Sequence, residues 1–112
     1  SYNIETVLAE KLETVASKKT DNSRSKDFYD LFILFKLKSQ IIDRKILDEA
    51  IKTTFEHRKS IFLEKEILDL LENIKRDKSF IERWNRFSNN NIFAKGLNFE
   101  NIIDFIIKSL RK

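Results

Sequence analysis

The sequence predicts an all-α fold, a single-domain bundle of five to six helices. One proline-free chain of 112 residues with a single glycine lacks the usual punctuation of strands and hairpins. Apolar residues recur instead at three- and four-residue spacing along nearly the whole length, the period of a helix with one buried face. An apolar content of 41%, with ten phenylalanines and one tryptophan, is enough for one core at this size.

The first helix is expected to start near Asn3, a capping residue with Glu5 in the following turn, and to run to Lys18 and Lys19, whose charges suit the negative end of a helix dipole. Its apolar stripe is Ile4, Val7, Leu8, Leu12 and Val15. A polar connection from Thr20 to Ser25 leads to a second helix over about Lys26 to Lys38. Eight of the ten residues from Phe28 to Leu37 are apolar and point around the whole circumference, the pattern of a helix buried on all sides.

A third helix follows the cap Asp43 and buries Ile46, Leu47, Ala50, Ile51 and Phe55, and a fourth from Glu64 to Arg76 uses Ile67, Leu68, Leu71 and Ile74. Ser79 is expected to cap a fifth helix, with Phe80, Trp84 and Phe87 on one stripe. Those aromatics follow helical spacing and read as core rather than as a base-stacking platform. The stretch SNNNIFAKGLN is the longest irregular one, after which Asn98 caps a last helix burying Phe99, Ile102, Ile103, Ile106 and Leu110. Leu31, Phe32, Phe35, Trp84 and Ile103 are expected among the most buried residues.

No apolar run approaches the roughly 18 residues that cross a bilayer, and the first residues lack a secretory pattern, so a cytoplasmic protein is expected. The absence of cysteine excludes disulfides and thiolate metal sites, and one histidine, His57, cannot form a histidine cluster. His57 reads as a dipole partner at the end of the third helix. Phosphate-binding glycine loops and serine-nucleophile motifs are missing too. A net charge of +4, from 22 basic and 18 acidic residues interspersed along the chain, leaves a basic nucleic-acid-binding domain open.

One constellation stands out against this background. On the first helix Lys11 falls roughly 20° from Ile4 and so points into the apolar stripe. An ammonium there must reach out to water or meet a carboxylate. Asp27 and Asp30, three residues apart at the start of the otherwise apolar second helix, share a face and need a cation in turn. Lys11 is therefore expected beside one of them. Two readings follow: a structural ion pair holding two helices in register, or a cleft in which Lys11, with Arg24 and Lys26, meets a phosphate.

The segments IETVLAEKLETVAS and NSRSKDFYDLF resemble two motifs of the AbiEii-type nucleotidyltransferase toxins of abortive-infection toxin–antitoxin pairs. The resemblance rests on Glu5, Ala9, Glu10 and Lys11, then on Arg24, Lys26, Asp27, Tyr29, Asp30 and Leu31. It continues more weakly through AIKTTFEHRK, FIERWNRF and LNFENIIDFI, spanning essentially the whole chain.

The resemblance implies metal-dependent transfer of a nucleotide from a nucleoside triphosphate to an acceptor such as tRNA, with Mg2+ and NTP as cofactor and substrate and a cognate antitoxin as partner. It implies Lys11, Asp27 and Asp30 as site residues, with Arg24 and Lys26 beside them for phosphate. Family members carry a glycine-serine motif and metal-binding aspartates on a small sheet upstream of these motifs, and neither stands in this sequence. Residues 1–112 are accordingly expected to be the C-terminal α-helical domain of such an enzyme, without the N-terminal catalytic sheet domain, inactive alone and prone to self-associate. The alternative is a non-catalytic helical module that binds another protein.

Overall fold

The computed structural model describes residues 3–18, 25–59 and 64–111. They form six α-helices: α1 (Ile4–Lys18), α2 (Ser25–Leu37), α3 (Arg44–His57), α4 (Glu64–Arg76), α5 (Lys78–Asn90) and α6 (Phe99–Leu110). A single 3-10 turn spans Ile92–Ala94, and no strand occurs among the described residues. The all-α bundle expected from the spacing of apolar residues is the architecture observed.

The helix α2 lies at the centre, packed against α1, α5 and α6. Leu31 is fully buried, and Phe28, Phe32 and Phe35 are nearly so. Phe28 holds two neighbours at once, meeting Phe80 of α5 and Phe99 of α6 edge-on at centroid distances of 5.9 and 5.6 Å. Such T-shaped contacts match the positive ring edge to the negative ring face. Trp84 is fully buried beside them and donates its indole N–H to the Leu97 carbonyl at 2.9 Å. That bond ties the segment after α5 to the core. Ile103 is fully buried as well, so all five residues expected in the interior are there.

The helices α1 and α3 make the most extensive pairing and run side by side in the same direction. At one end, the buried Glu5 carboxylate accepts the backbone N–H of Asp43, just ahead of α3, at 2.8 Å. At the other, Arg58 at the end of α3 donates to buried Glu13 at 2.9 Å. Each contact places the charge the α3 dipole favours at that terminus. Between them stands the small side chain of Ala9, which is fully buried and lets the helix axes approach.

Arg44, in the first turn of α3, donates to the carbonyls of Ser109 and Leu110 at the last turn of α6. Those carbonyls have no partner within their own helix, so the guanidinium caps them. Lys75 joins α4 to α6 through Asp104 at 2.9 Å, with Glu72 on its own helix at 3.2 Å. The hydrogen bond that Lys75 donates to Asp104, then that to Glu72, raises its pKa.

Several boundaries and faces differ from the sequence reading. The α5 cap is Asp77, whose carboxylate accepts the N–H groups of Ser79 and Phe80; the Ser79 hydroxyl donates to the same oxygen rather than capping the helix itself. An aspartate preceding lysine outcompetes a serine two residues on because its oxygen reaches two free N–H groups. Ser88, Asn89 and Asn90 continue α5, which shortens the irregular stretch. Ile46 is 44% exposed, not buried. On a regular helix it falls about 140° from the centre of the face formed by Leu47, Ile51 and Phe55. Lys19 and the connection from Thr20 to Arg24 lie outside the described residues.

Two measurements test this arrangement. Phe28→Ala should lower stability by about 3 to 5 kcal/mol in urea unfolding, because a ring 1% exposed leaves a cavity that Phe80 and Phe99 must collapse to fill; a loss under about 1 kcal/mol would place that ring outside the core. The Asp77 pKa is lowered, first by the Ser79 hydroxyl and then by the Phe80 N–H. Its stabilisation is thus present above about pH 4, the unfolded-state value, and is lost as the pH falls through the lower folded-state value. Asp77→Asn retains the acceptor without the titration. The gap in thermal midpoint between parent and Asp77→Asn should therefore stay constant down to about pH 4 and change below it.

Candidate functional site

Four charged side chains converge where α1 crosses the start of α2. The Lys11 Nζ lies 3.6 Å from Asp27 Oδ1 and 3.0 Å from Asp30 Oδ2. Lys26, one turn before Asp30, donates to the same Asp30 oxygen at 3.2 Å. The expected meeting of Lys11 with one aspartate is thus a meeting with both, because residues three apart on a helix present their carboxylates side by side.

Burial grades across the cluster. The Asp27 side chain is 8% exposed, Asp30 21%, Lys11 27% and Lys26 60%. Asp27 is the inner anchor, in the first turn of α2, where the helix dipole also favours an anion. Asp30 and the Lys11 ammonium form a rim that solvent reaches. Two cations face two anions, so the quartet is formally neutral. It can hold a phosphate through directed N–H donors, but not by excess charge. Arg24, the further cation expected here, lies outside the described residues.

A divalent ion does not fit this cluster as it stands. Among the described residues no three His, Cys, Asp or Glu side chains come together as ligands. The two aspartates that do converge already share an ammonium at the position a bridging cation would take.

The residues that carry the sequence motifs divide by role. Glu5 and Ala9 face α3 and set the α1–α3 pairing, and Leu31 is core, whereas Lys11, Lys26, Asp27 and Asp30 converge. Tyr29 points another way, its ring 4.9 Å from that of Phe93 and 6.2 Å from that of Phe87. The sequence reading missed this link from the charged cluster to the segment after α5. It also missed the Glu13–Arg58 pair. The signal available for the latter was the row Glu5, Ala9, Glu13, four residues apart and facing one neighbour.

The burial gradient makes the pair separable by mutation. Lys11→Met removes one cation from beside the enclosed Asp27, a loss of roughly 3 kcal/mol. Lys11→Met combined with Asp27→Leu removes the enclosed charge as well and should regain most of that loss in urea unfolding. Equal stability of the single and double variants would show that Asp27 does not depend on Lys11.

Residues 1–104 match the model of a protein family described as Nucleotidyl transferase AbiEii toxin, Type IV TA system. Neither the curated proteins nor the solved structures give a match. The family match extends from α1 into α6 and so takes in both helices that build the charged cluster. On that coverage, the chain belongs to the AbiEii nucleotidyl transferase toxin family.

Proposed function

We propose that this chain is the helical part of a nucleotidyltransferase toxin and that Lys11, Asp27 and Asp30 form its share of the active site. The observation that carries the reading is the ammonium of Lys11, held by two carboxylates yet still 27% exposed at the side chain. Asp27 and Asp30 hold it in place, and its exposed side can donate to a phosphate oxygen. Lys26, and Arg24 beside it in sequence, supply further donors for a triphosphate.

In this proposal the helices bind and orient the NTP, and the metal-binding carboxylates belong to a separate sheet domain of the toxin. Mg2+ supplies charge stabilisation there when bound. The acceptor is an RNA such as tRNA, and a cognate antitoxin restrains the enzyme in the cytoplasm. Exposed Leu37, Ile41 and Ile46 give the isolated chain an apolar corner through which it self-associates.

A second reading has its own observation. The near-complete burial of Asp27 suits a structural pair that fixes α1 against α2 within a protein-binding module. Growth assays with the whole toxin separate the two. Lys11→Arg keeps a cation between the aspartates but displaces its charged centre, and should abolish toxicity while the protein remains folded by circular dichroism. A well-folded, fully toxic Lys11→Met protein would refute the catalytic assignment.

The 112-residue chain alone should transfer no labelled nucleotide to RNA with any NTP and divalent metal. Transfer that survives purification to homogeneity would show that these helices hold a complete active site.

A further inference from the structure

Phe93 is 53% exposed and Ile92, beside it, 89% exposed, in a chain whose other phenylalanine rings largely serve the core. The Phe93 ring is nevertheless fixed. Tyr29 lies 4.9 Å from it and Phe87 5.9 Å, so two rings brace it from behind while the rest faces water. The backbone that carries it is held at both ends. The Asn91 side chain donates to the Phe87 carbonyl at 2.8 Å, and the Leu97 carbonyl accepts from Trp84.

The charge along the segment that carries this ring is one-sided. From Arg83 to Phe99 there is no aspartate or glutamate, and all 18 acidic residues lie outside that stretch. It contains Arg83, Arg86 and Lys95, together with Asn85, Asn89, Asn90, Asn91 and Asn98. Arg83 is engaged over the Phe80 ring at 4.7 Å. Arg86 and Lys95 are exposed and take part in no ion pair among the described residues. On α5, Asn90 falls at neighbour spacing from both Phe87, three residues before it, and Arg86, four residues before it, and Phe87 in turn meets Phe93.

We propose that Phe93 is a stacking platform for an unpaired nucleobase of a single-stranded polynucleotide, whose backbone runs over Arg86 and Lys95. A braced, half-exposed aromatic ring on a segment of exposed cations and amides suits single strands, since every base has a face to stack and every linkage a charge to neutralise. A segment that carries cations and amides but no acids suits a polyanion better than a protein partner of ordinary mixed charge. The platform adjoins the candidate site through Tyr29, whose chain neighbour Asp30 accepts from Lys11 and Lys26. A strand stacked on Phe93 is thereby led toward that cluster. This role as acceptor guide rests on the proposed transferase function, whereas the binding itself does not.

Fluorescence anisotropy of labelled single-stranded oligonucleotides with the 112-residue chain tests it. Phe93→Ala should weaken binding about tenfold, within the range for loss of one stacked base, and Phe93→Trp should restore it. Arg86→Gln and Lys95→Gln should each lower the salt dependence by somewhat less than one counterion. A blunt duplex of the same length and ATP alone should compete poorly. Binding is read on the 112-residue chain and toxicity on the whole toxin, so the platform and the transferase reading fail separately.

Equal binding by the parent and a folded Phe93→Ala variant would overturn the platform, as would failure of the parent to bind any single strand. Equally effective competition by ATP would confine the site to a lone nucleotide and overturn the polynucleotide assignment. Concentration-dependent dimerisation that Phe93→Ala abolishes, without oligonucleotide binding, would make the patch a contact between copies and also overturn it.

Discussion

Enclosing α2 on several sides is the constraint on which the rest of the molecule depends. A helix with apolar residues around its circumference has no face to offer water, so α1, α5 and α6 must all reach it. The contacts of Phe28 with Phe80 and Phe99 show how closely those neighbours are coupled: one ring on the central helix sets the positions of two others. The same enclosure explains the charged cluster. Polar groups at the start of such a helix sit at the border of the core, where an unpaired carboxylate is costly and an ammonium from the next helix offsets that cost. Structural need and phosphate-binding chemistry thus call for the same residues, which is why Lys11 serves both readings until it is mutated.

The helix α1 answers to two neighbours with two different chemistries. Toward α2 it presents aliphatic side chains and the Lys11 ammonium; toward α3 it presents Ala9 between two buried glutamates. Glu5 accepts a backbone N–H just ahead of α3 and Glu13 holds the Arg58 side chain at its far end, while the alanine allows close approach along its middle. The pairing is consequently fixed both along the helix axes and in rotation. Since α1 also carries Lys11, the α3 contact positions the ammonium from behind.

Much of the fold was legible because its signals are local. Asp43 and Asn98 cap their helices through side-chain oxygens, and the apolar rows of α4 and α6 mark their buried faces directly. The Lys11 contact was legible for a related reason: a charge in an apolar stripe and two more in an apolar helix each lack a partner, and proximity in sequence brings them together. What escaped reading depends on partners far along the chain. Glu5 looks like an ordinary first-turn acid until Asp43 is beside it, and Arg44 like a solvated cation until the end of α6 arrives. Ile46 misled because three- and four-residue spacing admits it to a stripe whose actual centre lies on Leu47, Ile51 and Phe55. The Tyr29–Phe93 contact joins residues with no shared periodicity, so no pattern announced it.

The place of α6 bears on how the polypeptide is made. Residues 99–110 cover α2, support α4 and α5, and receive Arg44 at their end. While a ribosome is still making that segment, α2 has an uncovered side and the rings of Phe28 and Trp84 lack Phe99, one of their shared neighbours. Earlier helices can form and collapse together, but the core stays open until the last of them is synthesised. Nascent chains stalled before Phe99 should thus remain sensitive to protease and bind chaperones, whereas chains that have released Leu110 become resistant in one cooperative step.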